Sequence, residues 1–148
     1  MAKSIATAES ITGGDVAALM TGVSGSSEYV AGGLVCYKEE VKVNVLGVDP
    51  RTIVQGYDIR ELATELVLGC HKMFSTDVCV STTGYIDRSF AMAVLTDGRV
   101  HTFVVKIMPD TLALPRVERK RNIARYVLQK VLEVIEDGPL KDFLSKVV

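Results

Sequence analysis

The chain has 148 residues, of which 48% are hydrophobic, and its formal net charge at neutral pH is −1. This hydrophobic content excludes a disordered chain, and the balanced charge gives no overall attraction to nucleic acid or to an acidic membrane surface. No apolar run reaches the ~20 residues that a membrane-spanning helix needs. We therefore predict a single domain over residues 1–148 with a full hydrophobic core.

The cysteines and histidines argue against a metal centre. Cys36, Cys70 and Cys79 are odd in number, lie in apolar stretches and lack metal-ligand spacing, so we expect reduced, buried thiols. His71 and His101 have no other candidate ligand nearby in the sequence, and we expect neither a metal nor another cofactor. Because no signal-peptide pattern precedes the first strand, a cytoplasmic location is expected.

The first predicted elements are a strand over residues 5–8 and a helix over residues 12–21. The connection between them contains Ser10, Gly13 and Gly14. Because glycine has no Cβ, another group can approach the backbone closely at such a turn. The first turn of a helix also presents unpaired N–H groups and a partial positive charge, which suit an anion or a developing oxyanion.

Ser10 lies at the lip of this turn, where a nucleophile would sit. The alternative is that Ser10 or Thr12 caps the helix, which is a common role for both residue types. The spacing alone leaves both interpretations open.

The middle of the chain predicts one strand and two helices. Residues 29–37 are apolar on both faces, which is typical of a strand in the middle of a covered sheet. A short helix over residues 39–46 begins with two glutamates, which suit its positive end. After an Asp49-Pro50 turn, a helix over residues 59–74 has four apolar residues on one face: Leu62, Leu66, Cys70 and Met73.

The second half of the chain predicts more strands and a long helix. These elements are a strand over residues 77–82, a loop over 83–85, a hairpin of 90–96 and 101–108 with an Asp97-Gly98 turn, an amphipathic helix over 116–136 and a short helix over 140–148. Helices that alternate with strands, followed by a hairpin, predict an α/β fold, specifically a three-layer α/β/α sandwich with a mixed sheet.

Three of the predicted strands end in polar residues. Ser10, Tyr37 and the Thr83-Gly84 pair stand at these ends. In open α/β sheets, ligands bind beyond the carboxyl ends of the strands. We therefore expect these residues to share a binding site. For Tyr37 the alternative is an aromatic residue that closes the core.

Several stretches of this sequence resemble the CinA C-terminal family, which includes the nicotinamide mononucleotide amidohydrolases. The most specific is residues 6–14, Ala-Thr-Ala-Glu-Ser-Ile-Thr-Gly-Gly, and the likeness continues at 25–27, 33–37, 40–48, Thr83-Gly84 and the helix from Arg116. The resemblance implies an α/β/α fold, commonly a homodimer or higher homo-oligomer. It also implies removal of the amide of nicotinamide mononucleotide as ammonia, without metal or cofactor, with no nucleic acid or membrane as partner.

The resemblance also implies roles for individual residues. The catalytic candidates are Ser10, Lys42 and Thr83. The candidates for binding the nucleotide are Glu9, Thr12, Gly13, Gly14, Ser26, Tyr37, Gly84 and Arg116. Backbone N–H groups near residues 12–14 or at Gly84 would hold the oxyanion, and Arg116, together with Ser26 or Ser27, would bind the phosphate.

Lys42 has a physical reason to act as the base that activates Ser10. It lies among apolar residues in the first turns of a short helix, so desolvation and the helix dipole both disfavour its charged form. Glu39 and Glu40 act in the opposite direction if they face the amine. The alternative is a surface lysine whose stem covers apolar neighbours.

Other functions stay open from the sequence. One is a CinA-like domain that binds a nucleotide without turnover, or a regulatory oligomer whose apolar excess is an interface. Another is nucleic-acid binding through the basic residues of the helix over 116–136, although a solvated helix face explains these charges better, because they spread around the outer face of the helix. The sequence departs from the family pattern at residues 85–90, where a glycine-rich loop is replaced by a shorter segment, and this predicts a more open pocket.

Overall fold

A computed structural model describes residues 3–54 and 58–148. Its strands are β1 (Ile5–Glu9), β2 (Val30–Val35), β3 (Val78–Tyr85), β4 (Ser89–Thr96) and β5 (Arg99–Lys106). Its α-helices are α1 (Asp15–Thr21), α2 (Glu39–Leu46), α3 (Pro50–Val54), α4 (Ile59–Phe74), α5 (Pro109–Leu112), α6 (Arg116–Val134) and α7 (Pro139–Val147). A short 3₁₀ helix covers Ser26–Glu28.

The strands form one mixed sheet in the order β2-β1-β3-β4-β5. Strand β1 pairs in parallel with both β2 and β3, whereas β3–β4 and β4–β5 are antiparallel. One buried apolar cluster joins the sheet to α1, α6 and α7, and a second joins its other face to α2 and α4. The three-layer α/β/α sandwich predicted from the sequence is therefore confirmed.

Helix α4 shows how the sequence fixes the layers. The Asp58 side chain accepts a hydrogen bond from the Arg60 backbone N–H, so the helix begins where the sequence offers a cap. Leu62, Leu66 and Cys70 are fully buried against the sheet, and the predicted limits of this helix are confirmed. Met73 was expected on the same buried face, but it is 44% exposed, because Phe74, four residues after Cys70, packs against the buried cluster instead.

The β4–β5 hairpin turns at Asp97 and Gly98, as predicted. Both residues have positive φ angles, 52° and 72°. Two such residues make the type of two-residue turn whose twist matches that of antiparallel strands. The hairpin therefore makes β5 the last strand at this side of the sheet.

Strand β2 differs from its prediction. The sequence predicted a strand covered on both faces, but β2 is the edge strand of the sheet and alternates between partly buried and exposed residues. The reason is that small residues such as Ala31 and Gly33 are apolar without requiring burial, so hydropathy alone does not reveal an edge. The strand is also shorter than predicted: Tyr29 caps the 3₁₀ helix that precedes it, and the strand ends at Val35.

Residues 83–85 were expected to form a loop, but they are the last three residues of β3. Gly84 pairs with Phe90 on β4 and has a φ of 141°. A Cβ at Gly84 would lie 2.5 Å from Phe90 Cα and 2.6 Å from the Ser89 carbonyl oxygen. Only glycine fits here, and the chain then turns through residues 86–88 into β4.

Helix boundaries differ by a few residues elsewhere. Helix α1 begins at Asp15 rather than at Thr12, because residues 11–14 form turns with glycines in the left-handed region. Helix α6 begins at Arg116 as predicted and ends at Val134. Within the described ranges, no helix is both long and apolar enough to cross a lipid bilayer.

Candidate active site

A cavity of about 160 Å³ opens where β1, β2 and β3 end. After β1 the chain crosses to β2 through α1 on one face of the sheet. After β2 it returns to β3 through α2 and α4 on the other face. Such a reversal leaves a crevice at the carboxyl ends of the strands. The cavity is lined by Ser10, Ile11, Tyr37, Glu39, Lys42, Thr83, Gly84, Ile86 and Arg116.

Six of the predicted site residues therefore meet in one cavity: Ser10, Tyr37, Lys42, Thr83, Gly84 and Arg116. A larger open groove of about 730 Å³ lies between α2 and α4 and is lined by none of them. The smaller cavity is the better candidate for chemistry, because it is the one that combines a hydroxyl, a buried amine and a guanidinium.

Ser10 is the first residue after β1, and the sheet fixes its backbone. Its N–H donates to the Thr82 carbonyl at 2.9 Å, and its own carbonyl accepts from the Gly13 N–H at 3.1 Å. Ser10 is buried, with 8% of the residue exposed. The alternative that Ser10 caps α1 is wrong, since Gly14 occupies the N-cap position and the N–H groups of Val16 and Ala17 donate to a different side chain.

Glu9 points into the protein and supports the turn from beneath. One carboxylate oxygen accepts from the Val16 N–H at 2.8 Å and from the Thr12 hydroxyl at 2.7 Å. The other accepts from the Ala17 N–H and the Thr7 hydroxyl, both at 3.0 Å. The carboxylate thus satisfies the start of α1, so the structure places neither Glu9 nor Thr12 among the residues that line the cavity.

Gly13 and Gly14 shape the same turn without lining the cavity. Their φ angles are 56° and 100°, which glycine adopts without strain. The expectation that N–H groups of this turn bind an oxyanion is corrected in part, because the Gly13 N–H is already bonded to the Ser10 carbonyl. The N–H groups of Ile11 and Thr12, by contrast, have no acceptor within residues 3–54 and 58–148.

Lys42 is buried, with 4% of the residue exposed. Its Nζ donates to the Tyr37 carbonyl oxygen at 2.9 Å. Burial lowers the pKa of the Lys42 amine, and the nearby Cys36 and Glu39 oppose this shift more weakly. The amine is therefore not the surface lysine of the alternative interpretation, and deprotonation costs it less than an exposed amine.

Tyr37 and Arg116 form the rim of the cavity. The Tyr37 side chain is 60% exposed, so this residue does not close the core. Its Oη accepts a hydrogen bond from the Arg116 guanidinium at 3.2 Å. Arg116 is the first residue of α6 and is exposed. The start of α6 therefore places the positive charge of Arg116 at the same cavity as Ser10 and leaves it accessible to solvent.

Ser26 lies elsewhere. Its hydroxyl donates to the Thr21 carbonyl at 3.5 Å, and the residue is not among those that line the cavity. Conversely, sequence reasoning did not place Ile11, Glu39 and Ile86 in the site, although all three line the cavity. Glu39 carried a usable signal, because it lies three residues before Lys42 and so shares its helix face.

Arg119 holds one wall of the cavity in place. Its guanidinium donates to the Ile86 carbonyl at 3.1 Å and to the carbonyls of Leu112 and Leu114 at 2.7 and 3.1 Å. The segment after β3, which sequence reasoning predicted to open the pocket, is thereby tied to the start of α6.

Fold and cavity together define a three-layer α/β/α domain with a serine and a buried lysine at the carboxyl ends of its parallel strands. Comparison with known proteins agrees with this class. The chain belongs to the CinA C-terminal domain family, whose pattern matches residues 1–135.

The relatives are similar along most of this chain. A CinA-like protein of Mycobacterium avium is 36% identical over 143 residues, which cover 86% of this chain and 33% of the relative. A CinA-like protein of Mycobacterium tuberculosis is 35% identical over 147 residues, covering 91% and 34%. The chain thus spans about a third of the length of these relatives.

Solved structures show the same fold. A competence-damaged protein (CinA) superfamily protein from Escherichia coli superposes with a TM-score of 0.80 at 20% identity, covering 90% of this chain and 81% of that one. Competence damage-inducible protein A from Klebsiella pneumoniae gives 0.80 at 22% identity, covering 89% and 86%.

Proposed function

We propose that this domain is an amidohydrolase that converts nicotinamide mononucleotide to nicotinate mononucleotide and ammonia through Ser10 and Lys42. The observation that carries the proposal is that a serine at a strand end and a buried lysine line the same cavity. A serine hydroxyl needs a base to become a nucleophile, and a lysine serves as that base when desolvation favours its neutral form.

The surroundings of Lys42 support the role of base. An ammonium group has three N–H donors, whereas the described residues offer it one hydrogen-bond acceptor, the Tyr37 carbonyl. A neutral amine makes the same bond and keeps a lone pair for a proton. The bond to Tyr37 also fixes the direction of the amine, which a base requires in order to act on one particular hydroxyl.

In the proposed reaction, Ser10 Oγ attacks the carboxamide carbon while its proton passes to Lys42 Nζ. The C–N bond then breaks, and the departing nitrogen takes the proton from Lys42 and leaves as ammonia. A water molecule hydrolyses the resulting ester, giving the carboxylate product and free Ser10. This sequence needs no metal and no redox partner.

The oxyanion of the tetrahedral intermediate needs hydrogen-bond donors. The Ile11 N–H suits this role, because Ile11 lines the cavity next to Ser10 and its N–H has no acceptor among the described residues. Thr83 also lines the cavity, and its hydroxyl is the second donor in this proposal. One such donor is typically worth about 3 kcal/mol in the transition state.

The cavity volume indicates how the nucleotide would lie. About 160 Å³ is less than drug-sized ligands occupy, so the cavity would take the carboxamide end of the substrate. The phosphate would extend past the rim towards Arg116, whose guanidinium is exposed there. Tyr37, held by Arg116, would lie between the two parts.

The test is ammonia release from nicotinamide mononucleotide by the purified protein. We expect release by the unmodified protein and loss of at least two orders of magnitude in Ser10→Ala and in Lys42→Met. Ser145→Ala is the matched control, because Ser145 is exposed on α7 and bonds only to the Lys141 carbonyl among the described residues.

Three results would contradict the proposal. Full activity in Ser10→Ala would exclude Ser10 as the nucleophile, and full activity in Lys42→Met would exclude Lys42 as the base. Tight binding of the nucleotide without any ammonia release would favour the alternative of a CinA-like binding domain.

A further inference from the structure

Glu39 places at the cavity a carboxylate that forms no ion pair with any described residue and acts on the Lys42 amine more weakly than burial does. It is the first residue of α2 and is exposed, yet it lines the cavity together with Ser10 and Lys42. Its side chain makes no hydrogen bond and no ion pair within the described ranges 3–54 and 58–148. The negative charge is therefore available to a ligand.

The other charged groups of the cavity form no ion pair with this carboxylate. The Arg116 guanidinium donates to Tyr37 Oη and is not within ion-pair distance of Glu39. The Lys42 amine is bonded to the Tyr37 carbonyl, and its burial disfavours the ammonium form more strongly than the charge of Glu39 favours it. Glu39 and Arg116 thus present two separate charges of opposite sign on one cavity.

A second feature of the rim favours a cation. Tyr37 exposes its side chain at the cavity, and the face of an aromatic ring attracts positive charge. A planar cationic ring would meet the carboxylate of Glu39 on one side and an aromatic surface on another. A neutral ring of the same shape would leave the carboxylate without a partner.

We infer that Glu39 recognises a positive charge on the ring of the substrate, so that the site selects N-alkylated pyridinium carboxamides over their uncharged dihydropyridine counterparts. This inference rests on the proposed function, because it takes the ring next to the carboxamide as the group that enters the cavity. Glu39 acts in binding and in specificity, and it takes no part in the proton transfers.

The test compares nicotinamide mononucleotide with its reduced form, in which the ring is neutral and the carboxamide and phosphate are retained. The quantity measured is the ratio of kcat/KM for the two substrates. We expect the unmodified protein to favour the cationic ring and Glu39→Gln to reduce this ratio roughly two- to fivefold, which is the upper part of the range for an exposed ion pair.

Glu40→Gln is the matched control, because Glu40 is the next residue of α2, is exposed and does not line the cavity. It should leave the ratio unchanged. Glu39→Asp keeps the charge and should retain part of the preference. A ratio in Glu39→Gln equal to that of the unmodified protein would overturn the inference, and so would an equal loss with both substrates.

Binding measurements separate this inference from the proposed function. Calorimetry with both nucleotides is carried out on Ser10→Ala and on Ser10→Ala combined with Glu39→Gln. One outcome is that the unmodified protein and Glu39→Gln release no ammonia, while the calorimetry shows a preference for the cationic ring that depends on Glu39. The hydrolase proposal then fails and the inference stands. If ammonia is released with a preference that is independent of Glu39, the inference fails and the hydrolase proposal stands.

Discussion

Replacing Glu9 with glutamine tests the idea that the buried carboxylate holds the turn that carries Ser10. The substitution keeps the shape of the side chain and changes one oxygen into an NH₂ group. Each carboxylate oxygen accepts one backbone N–H, from Val16 at 2.8 Å or from Ala17 at 3.0 Å. In Glu9→Gln, one of these N–H groups must therefore face another donor.

The magnitude follows from this geometry. The hydroxyls of Thr7 and Thr12 can rotate and accept from the new amide, but a backbone N–H cannot change its role. The variant loses a hydrogen bond to a charged group and leaves a buried N–H unsatisfied, which together cost about 3 kcal/mol. For a domain of this size, that cost lowers the melting temperature by roughly 6–12 °C.

The assay is urea unfolding followed by circular dichroism, with Glu28→Gln as the matched control because Glu28 is exposed on the short 3₁₀ helix. The control should change the free energy of unfolding by less than about 0.5 kcal/mol. A free energy of unfolding in Glu9→Gln within that same margin of the unmodified protein would refute the reasoning, since it would mean that the four bonds to the carboxylate contribute nothing.

Three further predictions concern the cavity. Arg116→Met should raise KM for nicotinamide mononucleotide about tenfold with little change in kcat and should leave the dephosphorylated nucleoside unaffected; an equal effect on both would exclude phosphate contact. Because the neutral amine of Lys42 increases as pH rises, kcat should rise with pH through a pKa below the ordinary 10.5, and Lys42→Arg should lose this limb with the activity; a profile unchanged in Lys42→Arg would exclude Lys42 as the base. Gly84→Ala should cost at least about 2 kcal/mol in unfolding, because its Cβ would lie 2.5 Å from Phe90 Cα; normal stability would show that β3 and β4 can separate here.

Much of the fold could be predicted because local signals agree with the tertiary structure. The limits of α4 and the Asp97-Gly98 turn each follow from a local signal, and the structure confirms both, together with three of the four residues expected on the buried face of α4. The position of β2 within the sheet could not be predicted, since the small residues of this strand fit an edge strand as well as a central one. The extent of β3 through Gly84 depends on pairing with a strand that follows it, which hydropathy does not report.

The site was predictable only to the level of residue type and strand end. Ser10, Tyr37 and Thr83 could be located because the carboxyl ends of parallel strands meet, and the structure brings them to one cavity. The direction of a side chain is a different matter. Glu9 turns inward because the start of α1 needs an acceptor, and Ser26 turns to the Thr21 carbonyl, and neither fact follows from spacing.

The central claim is that the amine of Lys42 is unusually easy to deprotonate beside the hydroxyl of Ser10. The most direct measurement is an NMR titration of the lysine side-chain nitrogens, in which Lys130 serves as an internal reference, because its hydrogen bond to Glu133 raises the pKa of its amine. We expect the Lys42 amine to titrate below the ordinary 10.5 and the Lys130 amine to titrate above it. A Lys42 midpoint at or above that of Lys130 would exclude Lys42 as the base, because an amine that holds its proton so firmly cannot activate a serine.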